Sequence, residues 1–525
     1  MNSELTINRR TLLAAGACAP ALMLGEALAA ELSRSTDVTE PHVVVEIADG
    51  KVRGGQCRGA IAFKGIPYAG PVSGAGRFKA APPVRPWTGV LDALTGGTPA
   101  MQSNRVVHGV QSGEDCLFLN VWTPALDGKR RPVVFYNHGG GFSTGSANHK
   151  PQDGGQLAAN HDVVVVASNH RLGIFGYLYL GEIGGEEYAT SGNAGMLDIV
   201  DALKWVRKNI AAFGGDPNRV MVFGESGGGA KTSALLAMPS ARGLFHAAGV
   251  MSGTMLRATE KEQATETARA VLTALNIGPG DLHKLADVPA EQLLARRGRF
   301  SPVFEGKVLS QHPFVPGPAP FIADIPLLIG QNRDEATYGA QDTPEVFKMD
   351  EAALVARVRR ELGAERADAV LPVYRRNRPN ATPSEIYIAI ATSRMWGNTL
   401  AEAESKVKQG RAPVYMYRWD YQSNMPIRGT DWTIRAGHAT DILAKFENAD
   451  MGGLIGSAPD RFPASRNFGE AWCTFARDGR PSVTGAPAWP AYNLQTRATM
   501  LIDVKCTLVN DPDKTEREIW QATAP

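Results

Sequence analysis

The sequence predicts an α/β fold: a large, mostly parallel central sheet flanked by helices, with helical insertions. Three observations predict it. Short, unbroken apolar runs rich in β-branched residues stand at 132–136 (PVVFY), 163–167 (VVVVA), 220–223 (VMVF) and 325–329 (IPLLI). Continuous rather than alternating apolarity marks strands covered on both faces. Between the second and third runs, Met196, Val200, Leu203, Val206, Ile210 and Phe213 recur every three or four residues with charges between them, which gives an amphipathic helix. Strand, helix and strand in that order build a parallel sheet with right-handed crossovers.

From the N-terminus onward, residues 1–29 read as an export signal. Arg9 and Arg10 precede an uncharged run at 11–24, and Ala27-Leu28-Ala29 puts small residues where a signal peptidase cuts. That run is shorter than the roughly 20 residues a bilayer requires, and Pro20 interrupts it. The paired arginines resemble a twin-arginine signal, with ordinary secretory export as the alternative. Ala15 stands where a lipoprotein site at Cys18 wants a large aliphatic residue. No later stretch is apolar enough to span, so the mature chain is expected outside the cytoplasm, periplasmic or secreted, without a stable membrane anchor. Farther on, the amphipathic helix stops at Gly214-Gly215-Asp216-Pro217, a glycine cap followed by proline. Residues 255–300 and 340–375 are charged and helix-like, without a strand signal, and read as insertions.

Composition narrows the function classes. Of 525 residues, 43% are hydrophobic and 21% charged, too apolar for disorder, and five cysteines are too few for a disulfide scaffold. The 55 Lys and Arg nearly cancel the 53 Asp and Glu, leaving +2. Such a balance gives no footprint for nucleic acid.

The most specific feature follows the VMVF run: Gly224-Glu225-Ser226-Gly227-Gly228, with Gly229-Ala230-Lys231-Thr232 behind it. This is G-x-S-x-G between a strand and a helix, the setting of a nucleophile elbow. A serine on so tight a turn leaves no room for side chains two residues away, and its Oγ stands clear at the positive end of the following helix. The same stretch nearly spells a phosphate loop, but Ala230 stands before Lys231 where the pattern wants lysine directly after glycine.

A nucleophilic serine needs a base and an acid, which follow it in the order acid then histidine in the α/β-hydrolases that carry this elbow. Downstream lie His246, His283, His312 and His438. His246 is too close to Ser226 to leave room for a strand and an acid, and the next two precede the best acid. Glu335, just beyond the 325–329 run, stands where ligand-handling residues collect at strand ends; its neighbour Asp334 is the rival. His438 then takes the proton of Ser226 and Glu335 orients the imidazole. For the developing oxyanion, His138-Gly139-Gly140-Gly141-Phe142 after PVVFY supplies a side-chain-free loop. Gly140, Gly141 and Gly227 are the expected N–H donors.

These segments together resemble the type B carboxylesterase/cholinesterase family, and specifically its bacterial exported carboxylesterases. The resemblance includes Glu114-Asp115-Cys116-Leu117-Phe118-Leu119-Asn120-Val121, the glycine loop, Phe213-Gly214-Gly215-Asp216-Pro217, the elbow, Asn332-Arg333-Asp334-Glu335 and Gly437-His438-Ala439-Thr440-Asp441. It runs from about residue 52 to 520 and implies an α/β-hydrolase fold, ester hydrolysis through a serine acyl-enzyme, and no cofactor. Three departures stand out. Many members have alanine where this chain has Gly227, which is expected to keep the N–H and loosen the turn. In members with a disulfide at Cys116 the partner lies near position 101, here Met101; Cys116 is expected to be a buried free thiol, and Cys57, Cys473 and Cys506 show no metal spacing. Ile442-Leu443-Ala444-Lys445-Phe446 replaces the usual proline-aromatic stretch after the base.

The expected activity is thus a serine esterase acting on small or medium neutral esters. The same triad also fits amide, carbamate or lipid hydrolysis, and a silent binding module would have lost Ser226 or His438. The expected partner is a small-molecule ester, with monomer and homodimer both open. Length alone suggests about three domains. Because Gly140 and His438 must meet at one site, residues 30–525 instead read as one catalytic domain.

Overall fold

The computed structural model describes residues 35–103, 106–107 and 109–523; the expected export signal lies outside them. A thirteen-stranded sheet organises the chain. Its strands are β1 (Thr39–Ile47), β2 (Gly50–Cys57), β3 (Ala60–Pro67), β4 (Val90–Asp92), β5 (Phe118–Thr123), β6 (Arg131–Asn137) and β7 (Val164–Ser168). Then come β8 (Gly215–Glu225), β9 (Ala247–Met251), β10 (Leu327–Asn332), β11 (Val414–Trp419), β12 (Ala498–Ile502) and β13 (Thr507–Asn510). Across the sheet the order is β1-β2-β3-β5-β7-β6-β8-β9-β10-β11-β12-β13, with β4 paired to β2. From β7 to β12 all neighbours are parallel. At the edges β1, β2, β3, β5 and β13 pair antiparallel with their neighbours along that order, whereas β4 pairs parallel with β2.

The apolar runs are the centre of this sheet. Along β6 and β8 successive side chains enter opposite layers: Val133, Phe135, Val220 and Val222 on one face, Val134, Tyr136, Met221 and Phe223 on the other. Both faces are therefore apolar, which is why these segments do not alternate. On the first face lies α1 (Ala194–Asn209), with Met196, Ile199, Val200, Leu203 and Val206 buried. Its C-terminal 3-10 turn ends at Gly214, whose φ of 78° makes the predicted cap. On the opposite face lies α4 (Arg461–Asp478), whose Phe468 and Trp472 pack against Trp419, Tyr417 and Phe223. A Cβ on Gly249 of β9 would sit 2.2 Å from the Trp472 ring, so only glycine lets α4 approach.

Between β8 and β9 lies α2 (Gly227–Leu235), and α3 (Pro383–Gln409) leads back into β11. The stretches at 255–300 and 340–375 are mainly helical, with one correction. Thr259–Glu260 pairs in parallel with Val303–Phe304, a two-residue ladder too short to leave any periodicity. Strand β10 starts at Leu327 rather than 325, because Pro326 has no N–H for the ladder. Cys57, Cys116, Cys473 and Cys506 are buried free thiols.

Phe468 is 1% exposed and its ring lies 4.9 Å from that of Trp419. Phe468→Ala should cost about 3–5 kcal/mol, read as a lower urea midpoint; an unchanged midpoint would show that α4 does not hold this face.

Candidate active site

The elbow forms where β8 ends at Glu225 and α2 begins at Gly227. Ser226 between them has φ 57° and ψ −123°, a conformation L-residues occupy only when the surroundings over-determine it. Here its N–H donates to the Met251 carbonyl of β9 at 2.8 Å, and its own carbonyl accepts from Ala230 at 3.1 Å. A Cβ at Gly224 would come within 2.3 Å of the Gly228 backbone. Both motif glycines are thus demanded by the turn.

The glycine loop leaves the end of β6 and lies directly against this elbow. Gly140 and Gly141 have φ 85° and 61°, the left-handed region open to glycine. The Gly140 carbonyl accepts from the Thr144 N–H at 3.0 Å and from its hydroxyl at 3.1 Å. A Cβ at Gly227 would stand 2.4 Å from the Gly141 nitrogen. Glycine at 227 therefore lets the loop close onto the helix.

Across the strand ends, His438 Nδ1 lies 2.6 Å from Oε2 of Glu335, whose Oε1 accepts from the Asn332 N–H at 2.7 Å. Asp334 turns away, accepting from Gln422 at 3.1 Å. The structure thus brings Glu335, not Asp334, to the histidine. The opposite nitrogen, Nε2, lies 3.3 Å from Oε1 of Glu225, the residue directly before Ser226. Sequence reasoning missed Glu225, which occupies the variable position of G-x-S-x-G. The available signal was an acid placed at the end of an otherwise apolar buried strand.

More ionisable groups lie beneath. Asp441 and Lys445 on a short helix are fully buried; Asp441 Oδ1 accepts from Asn332 at 3.3 Å, and Lys445 Nζ lies 3.4 Å from the Tyr136 hydroxyl. Burial alone would push His438 down. The charges of Glu225 and Glu335, the hydrogen bond to Glu335 and the charge of Asp441 outweigh it and push the imidazole up to about 10. Burial raises Glu225 to about 7, against the pull of His438. An imidazole so favoured in its charged form has to shed that proton before it can accept another.

A cavity of about 1600 Å³ borders the 332–334 turn, lined by Asn332, Asp334, Arg394 and Trp396 but not by Ser226, Glu335 or His438. The site is thus located by its chemistry, not by cavity volume. Among the described residues, no group of three His, Cys, Asp or Glu is placed to hold a metal ion.

The Carboxylesterase family profile matches residues 41–520. The para-nitrobenzyl esterase of Bacillus subtilis is 38% identical, over 91% of this chain and 98% of its own length. The phenmedipham hydrolase of Pseudarthrobacter oxydans is 31% identical, over 85% and 92%. A crystal structure of a carboxylesterase from Geobacillus stearothermophilus superposes with a TM-score of 0.79 at 37% identity, covering 91% of this chain and all of that one.

Glu225→Gln removes the charge that most raises His438. The imidazole then loses its proton at lower pH, and the acid limb of kcat/KM on a nitrophenyl ester should move down by about one unit or more. A limb that stays put or moves up would contradict the geometry.

Proposed function

This chain belongs to the carboxylesterase family and hydrolyses carboxylic esters, and we propose that Ser226, His438 and Glu335 are the triad that does so. The observation that carries the assignment is the 2.6 Å contact between His438 and Glu335, with the other imidazole nitrogen 3.3 Å from Glu225, the residue directly before the strained Ser226. As Ser226 Oγ adds to the ester carbonyl, His438 takes its proton and the carbonyl electron pair moves onto oxygen. The N–H groups of Gly140, Gly141 and Gly227 hold that oxyanion, each donor being worth on the order of 3 kcal/mol of barrier. Collapse breaks the bond to the alkoxide, which receives the proton from His438. Water then repeats the sequence on the acyl-enzyme. Glu335 orients the imidazole and steadies the imidazolium that forms.

Residues 30–525 form one catalytic domain in this reading, supported by a single sheet whose strands run from Thr39 to Asn510. Residues 1–29 direct export to the periplasm or beyond, supported by their charged start, apolar run and small-residue site. No helix among the described residues is long and apolar enough to cross a membrane. The substrates are small to medium neutral esters; the named relative makes para-nitrobenzyl esters a first test.

A fluorophosphonate probe should label the mature protein, and Ser226→Ala should abolish labelling; labelling that survives sinks the assignment. Nitrophenyl esters of increasing acyl length, beside one amide and one carbamate, should show ester turnover dominating. Changing Arg9 and Arg10 together to lysine should leave the precursor in the cytoplasm if the twin-arginine route is used, whereas processing at the normal rate would point to the general secretory route.

A further inference from the structure

Lys231, the lysine that nearly completed a phosphate loop, is fully buried. No phosphate can reach it, so that reading fails on access as well as spacing. Its Nζ donates to the His138 carbonyl at 2.8 Å and lies 5.8 Å from the centre of the Phe142 ring. The next residue, Thr232, accepts at Oγ1 from the Asn137 side-chain amide at 3.1 Å. Two successive residues of the nucleophile's helix therefore grip the two residues that lead into the glycine loop. Burying an ammonium costs far more than burying a hydrocarbon of equal length. Packing alone would favour methionine or leucine here.

What distinguishes the lysine is that its ammonium reaches the His138 carbonyl. The His138 carbonyl belongs to the peptide unit whose N–H is that of Gly139, one unit before Gly140. A cation on that oxygen fixes the plane of the unit and polarises its own N–H, that of Gly139. It also places positive charge, in a low-dielectric interior, beneath the loop that faces developing negative charge. The stacked rings of His138 and His170, 4.5 Å apart, stay neutral there: burial, then the charge of Lys231, hold both well below the usual histidine range.

We propose that Lys231 is a positioning residue for ester hydrolysis: from the His138 carbonyl it locks the entry to the 139–141 loop and sets positive charge beneath it, keeping the loop's N–H groups aimed at the oxyanion. The proposal rests on the assignment of Ser226 and the glycine donors above.

The test uses Lys231→Met and Lys231→Gln in the mature enzyme, with competent sites counted by fluorophosphonate titration. Lys231→Met should lower kcat per titrated site by about 10- to 100-fold, short of the roughly 10²–10³ of deleting an oxyanion donor, with KM nearly unchanged. Affinity for a trifluoromethyl ketone, which becomes a tetrahedral oxyanion on Ser226, should fall in proportion, and Lys231→Gln, which keeps a donor without the charge, should lie between. Full kcat per titrated site in Lys231→Met, or a loss confined to the number of titratable sites and the melting midpoint, overturns the proposal. Persistent labelling of Ser226→Ala overturns the underlying assignment instead, so the two failures read differently.

Discussion

The backbone of one residue, Ser226, constrains most of the site. Its φ of 57° and ψ of −123° cost of order 1–3 kcal/mol for an L-residue, and the conformation survives only because its neighbours leave no alternative. The Met251 carbonyl of β9 takes its N–H. Gly228 packs against the Asn137 carbonyl so closely that a Cβ there would lie 2.0 Å from it. Adjacent parallel strands β6, β8 and β9 supply these contacts, so the sheet's order holds the strained turn that the five-residue motif marks.

The same closeness shapes the chemistry. Because the strand ends converge, three buried carboxylates, Glu225, Glu335 and Asp441, surround one imidazole. In a medium of low dielectric such charges do not screen one another. Glu335 is tied by hydrogen bonds on both oxygens, whereas Glu225 meets the histidine at 3.3 Å and its Oε1 makes no hydrogen bond. One acid is therefore built to hold an orientation, and the other mainly to set how firmly the imidazole keeps its proton. Lys445, fully buried near Tyr136, adds a compensating cation at a position where the family resemblance gave no guide.

Much of this was legible in order of local strength. Unbroken apolar runs revealed β6 to β8 and β10, since a strand covered on both faces has no polar side to show. The antiparallel edges left weaker traces: β1 alternates exposed and buried positions only near its C-terminal end. The choice between Glu335 and Asp334 could not be made from adjacency, because it depends on which carboxylate the 332–335 turn aims at His438. Glu225 was hidden in a motif position that any residue can fill.

The sequence by itself determined the class of sheet and marked the elbow and the glycine loop. Each is encoded within a few neighbouring residues by periodicity, by turn geometry or by the absence of side chains. Only the tertiary structure decided what lies across from what. Glu225 faces the imidazole, Gly227 admits Gly141, and Lys231 reaches His138 because strands distant in sequence are hydrogen-bonded neighbours in the sheet. Long-range pairing, unlike a turn, is written in no single stretch of chain.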